Sequence, residues 1–181
     1  NGIEIIGDVP FYVGYDSSDV YFHKEAFLLN EDNKPSWIAG VPPDYFSITG
    51  QRWGNPIWNW DYLYKNDFKE MMDRLNYASK MYDIIRIDHF RAFDSYWVFN
   101  PNSDNPSDGE WRYPDGYLFF NTLFKKYPNI NIIVEDLGEL RPEVLTLRDH
   151  FNLAGMREME FVIFEEEFQN KKIEKENQTY Y

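Results

Sequence analysis

The stretch IIRIDHFRAF, residues 84–93, sets Arg86, Asp88, His89 and Arg91 directly behind an apolar pair. In an extended chain successive side chains alternate, so Ile85 and Ile87 share one face while Arg86 and Asp88 share the other. An aspartate beside a guanidinium has its charged form favoured, which is what a carboxylate nucleophile needs at neutral pH. A second acid, Glu135, follows the apolar run NIIV at 131–134. Close to other carboxylates, it is expected to ionise with more difficulty, as a general acid must. Two carboxylates tuned in opposite directions fit cleavage of a glycosidic bond with retention. One attacks the anomeric carbon and the other protonates the leaving oxygen.

Two other readings use the same residues. Arg86 and Asp88 could form a structural ion pair at a strand end. Asp8, Asp88, His89 and Glu135 could ligate a metal, but the three histidines of the chain include no pair at metal-ligand spacing. No metal and no cofactor is therefore expected.

The elements that would position these acids alternate along the chain. IEIIGDVPFYV (3–13), YDIIRID (82–88), NIIVEDLG (131–138) and MREMEFVIF (156–164) read as strands. NDFKEMMDRLNYASKMY (66–82) spaces Phe68, Met71, Met72, Leu75, Ala78 and Tyr82 as one helical face, with Asn66 or Asp67 as cap. YLFFNTLFKKY (117–127) and RPEVLTLRDHF (141–151) are two further helices, the latter with Pro142 in its first turn. Strands alternating with helices predict an α/β fold with a parallel sheet and right-handed crossovers. Asp8, Asp88 and the Glu135-Asp136 pair each end an apolar run, so the acids are expected to converge on one rim, where such folds do their chemistry. Residues 14–64 are dense in Gly, Pro, Asp, Asn and Trp, and predict a long aromatic loop excursion. The tail from 165 to 181 is polar and reads as a frayed surface segment.

Composition narrows the partners. With 181 residues the chain fits one domain, and a net charge of -13 makes nucleic acid and anionic membrane unfavourable partners. No apolar run approaches a membrane span, and the first residues lack a signal pattern, so a soluble chain is expected. The absence of cysteine is compatible with a reducing cytosol, so a cytoplasmic location is expected, with a plastid as the alternative. Aromatic residues make up 19% of the chain, many beside Asn, Asp, Gly and Pro. Flat rings among polar groups suit sugar clefts, and they equally suit an aromatic core.

Five stretches in order carry a resemblance to a known family: GDVPFYVGYDSSDV (7–20), GVPPDYFSITGQRWGNPIWNW (40–60), YDIIRIDHFRAF (82–93), VEDLG (134–138) and AGMREMEF (154–161). On these the sequence resembles the amylomaltases, the 4-alpha-glucanotransferases related to the alpha-amylase superfamily. The resemblance implies part of a (β/α)8 TIM barrel, with 1–181 as a partial catalytic domain of about four strands and 14–64 as its substrate-binding loop region. It implies retaining transfer of α-1,4-glucan segments between maltooligosaccharides. Asp88 would be the nucleophile and Glu135 the acid/base. Arg86 and His89 would hold the nucleophile and the sugar at the cleavage point, and Asp8 would bind hydroxyls near that sugar. Asp44, Gln51 and Trp53 would lie in a mobile loop over donor and acceptor, a lid that delivers the intermediate to a sugar instead of water. Of Trp53, Trp58 and Trp60, two could serve packing alone.

An α-glucan hydrolase and a non-catalytic α-glucan-binding module are the alternative functions. The ratio of transfer to hydrolysis separates the first, and the presence of both acids argues against the second. Oligomeric state is not legible. The family's third catalytic aspartate sits in a His-Asp-Asn motif, and no such motif occurs in these residues. The 181-residue chain by itself is accordingly expected to be inactive. Detectable glucose transfer from maltotriose by this chain alone would overturn that expectation.

Overall fold

The computed structural model describes residues 2–43, 47–138, 140–159 and 178–180. Three short apolar runs form a parallel sheet in the order β1 (Ile6–Val9), β4 (Ile84–Ile87), β7 (Ile132–Val134). Asp8 pairs in register with Arg86, and Ile87 with Val134. A fourth strand, β8 (Gly155–Arg157), starts beside β7 in the same direction, where the Val134 N–H donates to the Ala154 carbonyl at 2.9 Å. The backbone of β9 (Gln178–Tyr180) runs parallel to β8. The rest of the strand expected over 156–164, from residue 160 on, and the remainder of the tail lie outside the described residues.

Helices connect the parallel strands, as the alternating pattern predicts. Between β1 and β4 come α1 (Ser18–Phe22), α2 (Trp60–Lys65) and α3 (Lys69–Ala78); α4 (Gly116–Lys126) precedes β7 and α5 (Pro142–His150) follows it. Helix α3 is shorter than the periodicity suggests, and its start is not capped by Asn66 or Asp67. Asp67 and Phe68 both adopt left-handed backbone conformations, and the Asn66 amide instead closes α2 by donating to the Tyr62 carbonyl at 2.8 Å. Such φ values are costly for residues other than glycine. Burial of Phe68, whose ring sits 5.3 Å from that of Phe119, offsets the strain.

The region 14–64 departs from a plain loop. It contains β2 (Ile38–Val41) and β3 (Gln51–Pro56), and the segment after β4 contains β5 (Tyr96–Phe99) and β6 (Gly109–Arg112). These four make an antiparallel sheet in the order β3-β2-β5-β6. Gly40 is needed in β2 because a Cβ there would run into the Gln51 carbonyl and the Phe99 ring.

The core lies between the parallel sheet and its helices. Ile85, Ile87 and Val134 meet Met72 and Leu75 of α3, Phe119, Phe120 and Leu123 of α4, and Val144 and Leu147 of α5. Much of the aromatic content is spent here. Phe120 is fully buried, with ring centroids 4.9 Å from Phe93, 5.1 Å from Phe119 and 5.5 Å from Phe151. Phe120→Ala is expected to cost about 3–5 kcal/mol, read as a lower urea midpoint with an unchanged m value. No helix among the described residues is long and apolar enough to cross a membrane.

Candidate active site

The carboxyl-terminal ends of β1, β4 and β7 bring Asp8, Arg86, Asp88 and Glu135 together. Register does this directly: Asp8 lies beside Arg86, and continuing the β4–β7 pairing by one residue sets Asp88 beside Glu135. Arg86 Nη1 donates to Asp8 Oδ1 at 2.5 Å and to Asp88 Oδ1 at 2.9 Å, so one guanidinium nitrogen bridges two carboxylates. The Asp88 N–H donates to the Val9 carbonyl at 3.1 Å, fixing the backbone just beyond the strand.

Glu135 is held from two loops. Its Oε2 accepts the His89 N–H at 2.9 Å and its Oε1 the Leu137 N–H at 3.0 Å. Its own backbone N–H donates to the Ile87 carbonyl at 2.9 Å, and its carbonyl accepts the Phe90 N–H at 3.0 Å. Burial pushes the Glu135 carboxyl above its ordinary value, and the Asp88 charge adds to this against the opposing pull of the two amides and Arg86. The direction agrees with the expectation for a general acid, with burial as the larger cause and the neighbouring acid the smaller.

His89 follows Asp88 in a left-handed backbone conformation, φ 53°, which aims its N–H at Glu135. Burial, assisted by the charge of Arg91, takes its imidazole down to about 3. The ring is therefore neutral at physiological pH and can bond a hydroxyl without competing with Arg86 for the acids. Two aromatic rings flank it: Trp53 at 5.0 Å, edge to face, and Tyr12 at 5.8 Å. Trp53 is 38% exposed and its Nε1 donates to Gln51 Oε1 at 2.9 Å. Gln51 and Trp53 lie in β3 of the antiparallel sheet, where the resemblance implies a loop. Trp58 and Trp60 are buried packing residues, Trp58 donating its N–H to the Phe11 carbonyl at 2.8 Å. Asp44 lies outside the described residues.

One acid expected on the rim is not there. Asp136 turns away from Glu135 into the interior, where Arg148 Nη1 reaches its Oδ2 at 2.6 Å. No charge or spacing pattern in the sequence points to Tyr12, although it sits in the first of the five motifs; its hydroxyl is buried and has no hydrogen-bond partner among the described residues. The assembled groups are a clamped carboxylate, a second carboxyl held toward its neutral form, a neutral imidazole and an open tryptophan face. A nucleophilic carboxylate and a proton-donating carboxyl are the two acids that retaining cleavage of a glycosidic bond calls for.

Known proteins resemble this chain over most of its length. A sequence model described as 4-alpha-glucanotransferase matches residues 1–181. A 4-alpha-glucanotransferase of Thermus thermophilus is 43% identical over 160 residues, covering 88% of this chain and 32% of the relative. One from Streptococcus pneumoniae is 45% identical over 161 residues, covering 89% of this chain and 32% of the relative. The solved amylomaltase of Streptococcus agalactiae in complex with acarbose superposes with a TM-score of 0.91 at 40% identity, covering 99% of this chain and 37% of that one. The chain spans about a third of the length of the curated relatives it matches.

Proposed function

This chain belongs to the 4-alpha-glucanotransferase family, and we propose that the protein carrying it transfers α-1,4-glucan segments between maltooligosaccharides by a retaining double displacement. The observation that carries the proposal is the bridge from Arg86 to Asp8 and Asp88, set one strand from a half-buried Glu135. In the first step an Asp88 oxygen attacks the anomeric carbon while the bond to the leaving glycosidic oxygen breaks and Glu135 gives that oxygen its proton. In the second, Glu135 takes the proton of an acceptor hydroxyl, whose oxygen attacks the same carbon and releases Asp88. Acid, nucleophile and two sugars balance every atom.

Arg86 and His89 hold the nucleophile and the sugar at the cleavage point in this reading, and Asp8 accepts hydroxyls beside them. The Trp53 face covers an apolar sugar face and keeps water from the intermediate, with Gln51 fixing the indole. Asp44 is assigned to the same covering segment from the sequence resemblance alone. Acarbose bound to the similar amylomaltase supports a glucan-shaped ligand.

The test is the full-length protein with maltotriose. Glucose and longer maltooligosaccharides are expected, with the number of reducing ends constant. A rise in reducing ends matching substrate loss would establish the hydrolase instead, and binding without conversion would leave only a glucan-binding module.

A further inference from the structure

We propose that Asp136 is a positioning residue for catalysis, one buried carboxylate that sets the placement of both Glu135 and the Arg86 clamp. This rests on the glucan-transfer reading above. The Asp136 side chain is 3% exposed and that of Arg148, its ion-pair partner on α5, is 12% exposed. Burying such a pair costs desolvation, and apolar residues of similar volume often replace one with no loss of stability. Stability is thus a poor reason to keep it here.

What the carboxylate does besides pairing is geometric. Its Oδ2 takes Arg148 Nη1 at 2.6 Å, and its Oδ1 accepts the Met156 N–H at 2.7 Å. Arg148 is itself steadied by Asp149 at 2.7 Å. One group therefore joins the end of β7, helix α5 and the start of β8. Gly155 lies so close that a Cβ would strike the Asp136 carboxylate, so the joint has no slack.

Two arms lead from this joint to the reacting groups. The first is covalent: Asp136 is the residue after Glu135, and fixing one fixes the peptide that carries the other. The second runs through Met156, whose Sδ accepts a hydrogen bond from Arg86 Nε at 3.3 Å. Arg86 turns its Nη1 to Asp8 and Asp88. Moving Met156 removes the support behind the clamp, so the acid and the nucleophile both depend on Asp136.

The experiment uses the full-length protein, with kcat and KM read per folded molecule on two substrates. Maltotriose needs a proton on its leaving oxygen, and α-maltotriosyl fluoride does not; its kcat is read as fluoride release in the first turnover, before Glu135 is needed as the base of the second step. Asp136→Asn is expected to lower kcat about 100-fold on both, with KM within about threefold, the scale of a misplacement near 1 Å. Met156→Leu, which keeps the packing and deletes the sulfur acceptor, is expected to lower kcat on both by about tenfold. If Asp136→Asn does not fold, Met156→Leu decides, and unchanged kcat on both substrates overturns the proposal. Loss on maltotriose alone also overturns it, because then only Glu135 depends on the joint, as does a rise in KM at constant kcat. The wild type is read first: no action on maltotriose defeats the underlying function, whereas an active wild type with active variants defeats only the role of Asp136.

Discussion

Asp88→Asn in the full-length protein is expected to lower kcat for transfer between maltooligosaccharides by on the order of 10⁶-fold, the scale seen when an enzyme loses its nucleophile. Asparagine keeps the shape of the side chain and removes the negative charge that attacks the anomeric carbon. Stability should barely move. The Asp88 side chain is 40% exposed, Arg86 retains Asp8 as a partner, and ion pairs open to solvent contribute about 0–1 kcal/mol. The variant therefore separates chemistry from folding: an unchanged melting temperature with no measurable transfer. Mass spectrometry adds a direct readout, since the covalent glycosyl adduct should map to the peptide containing Asp88. Transfer within tenfold of the wild type, or an adduct on another residue, would remove Asp88 from the role.

Glu135→Gln is expected to lower kcat on maltotriose by about 10²–10⁴-fold, the usual contribution of a positioned proton donor. A maltosyl fluoride should escape most of that loss in the first step, because fluoride departs without a proton, and the intermediate should then accumulate. Azide, which needs no general base, should relieve the block and yield a glycosyl azide. The pH profile gives the same assignment a second check. The first step needs protonated Glu135, so kcat/KM falls as pH rises through its pKa. Because burial and Asp88 raise that pKa, the alkaline limb should lie above the position an exposed glutamate would give, and it should vanish in Glu135→Gln. A limb unmoved in the variant would assign it to another group.

The parallel sheet was legible because its strands are short, apolar and closed by acids, and because helical spacing separates them. Asp8, Asp88 and Glu135 could be found on that basis alone, since strand ends in such a fold share a rim. The antiparallel sheet was not legible. QRWGNP and IAGV carry glycine, asparagine and proline, and they become strands by pairing with each other and with residues near 97, a long-range arrangement that local propensity does not encode. The motif points to Gln51 and Trp53 without showing that they lie in a strand, for this reason. Asp136 shows a finer limit. Its acid type matched the rim pattern, but the partners that turn it inward are 12 and 20 residues further along the chain. No spacing rule links an aspartate to an arginine on the next helix and an amide on the next strand.

Part of what raises Glu135 is the negative charge of Asp88, and that charge is consumed by the first step of the proposed cycle. Once Asp88 is an ester, the repulsion is gone, while the amides of His89 and Leu137 still favour the ionised glutamate. The proton affinity of Glu135 therefore drops when the intermediate forms and recovers when the sugar leaves. A group that must give a proton first and take one next is retimed by its own reaction partner, without movement of the backbone.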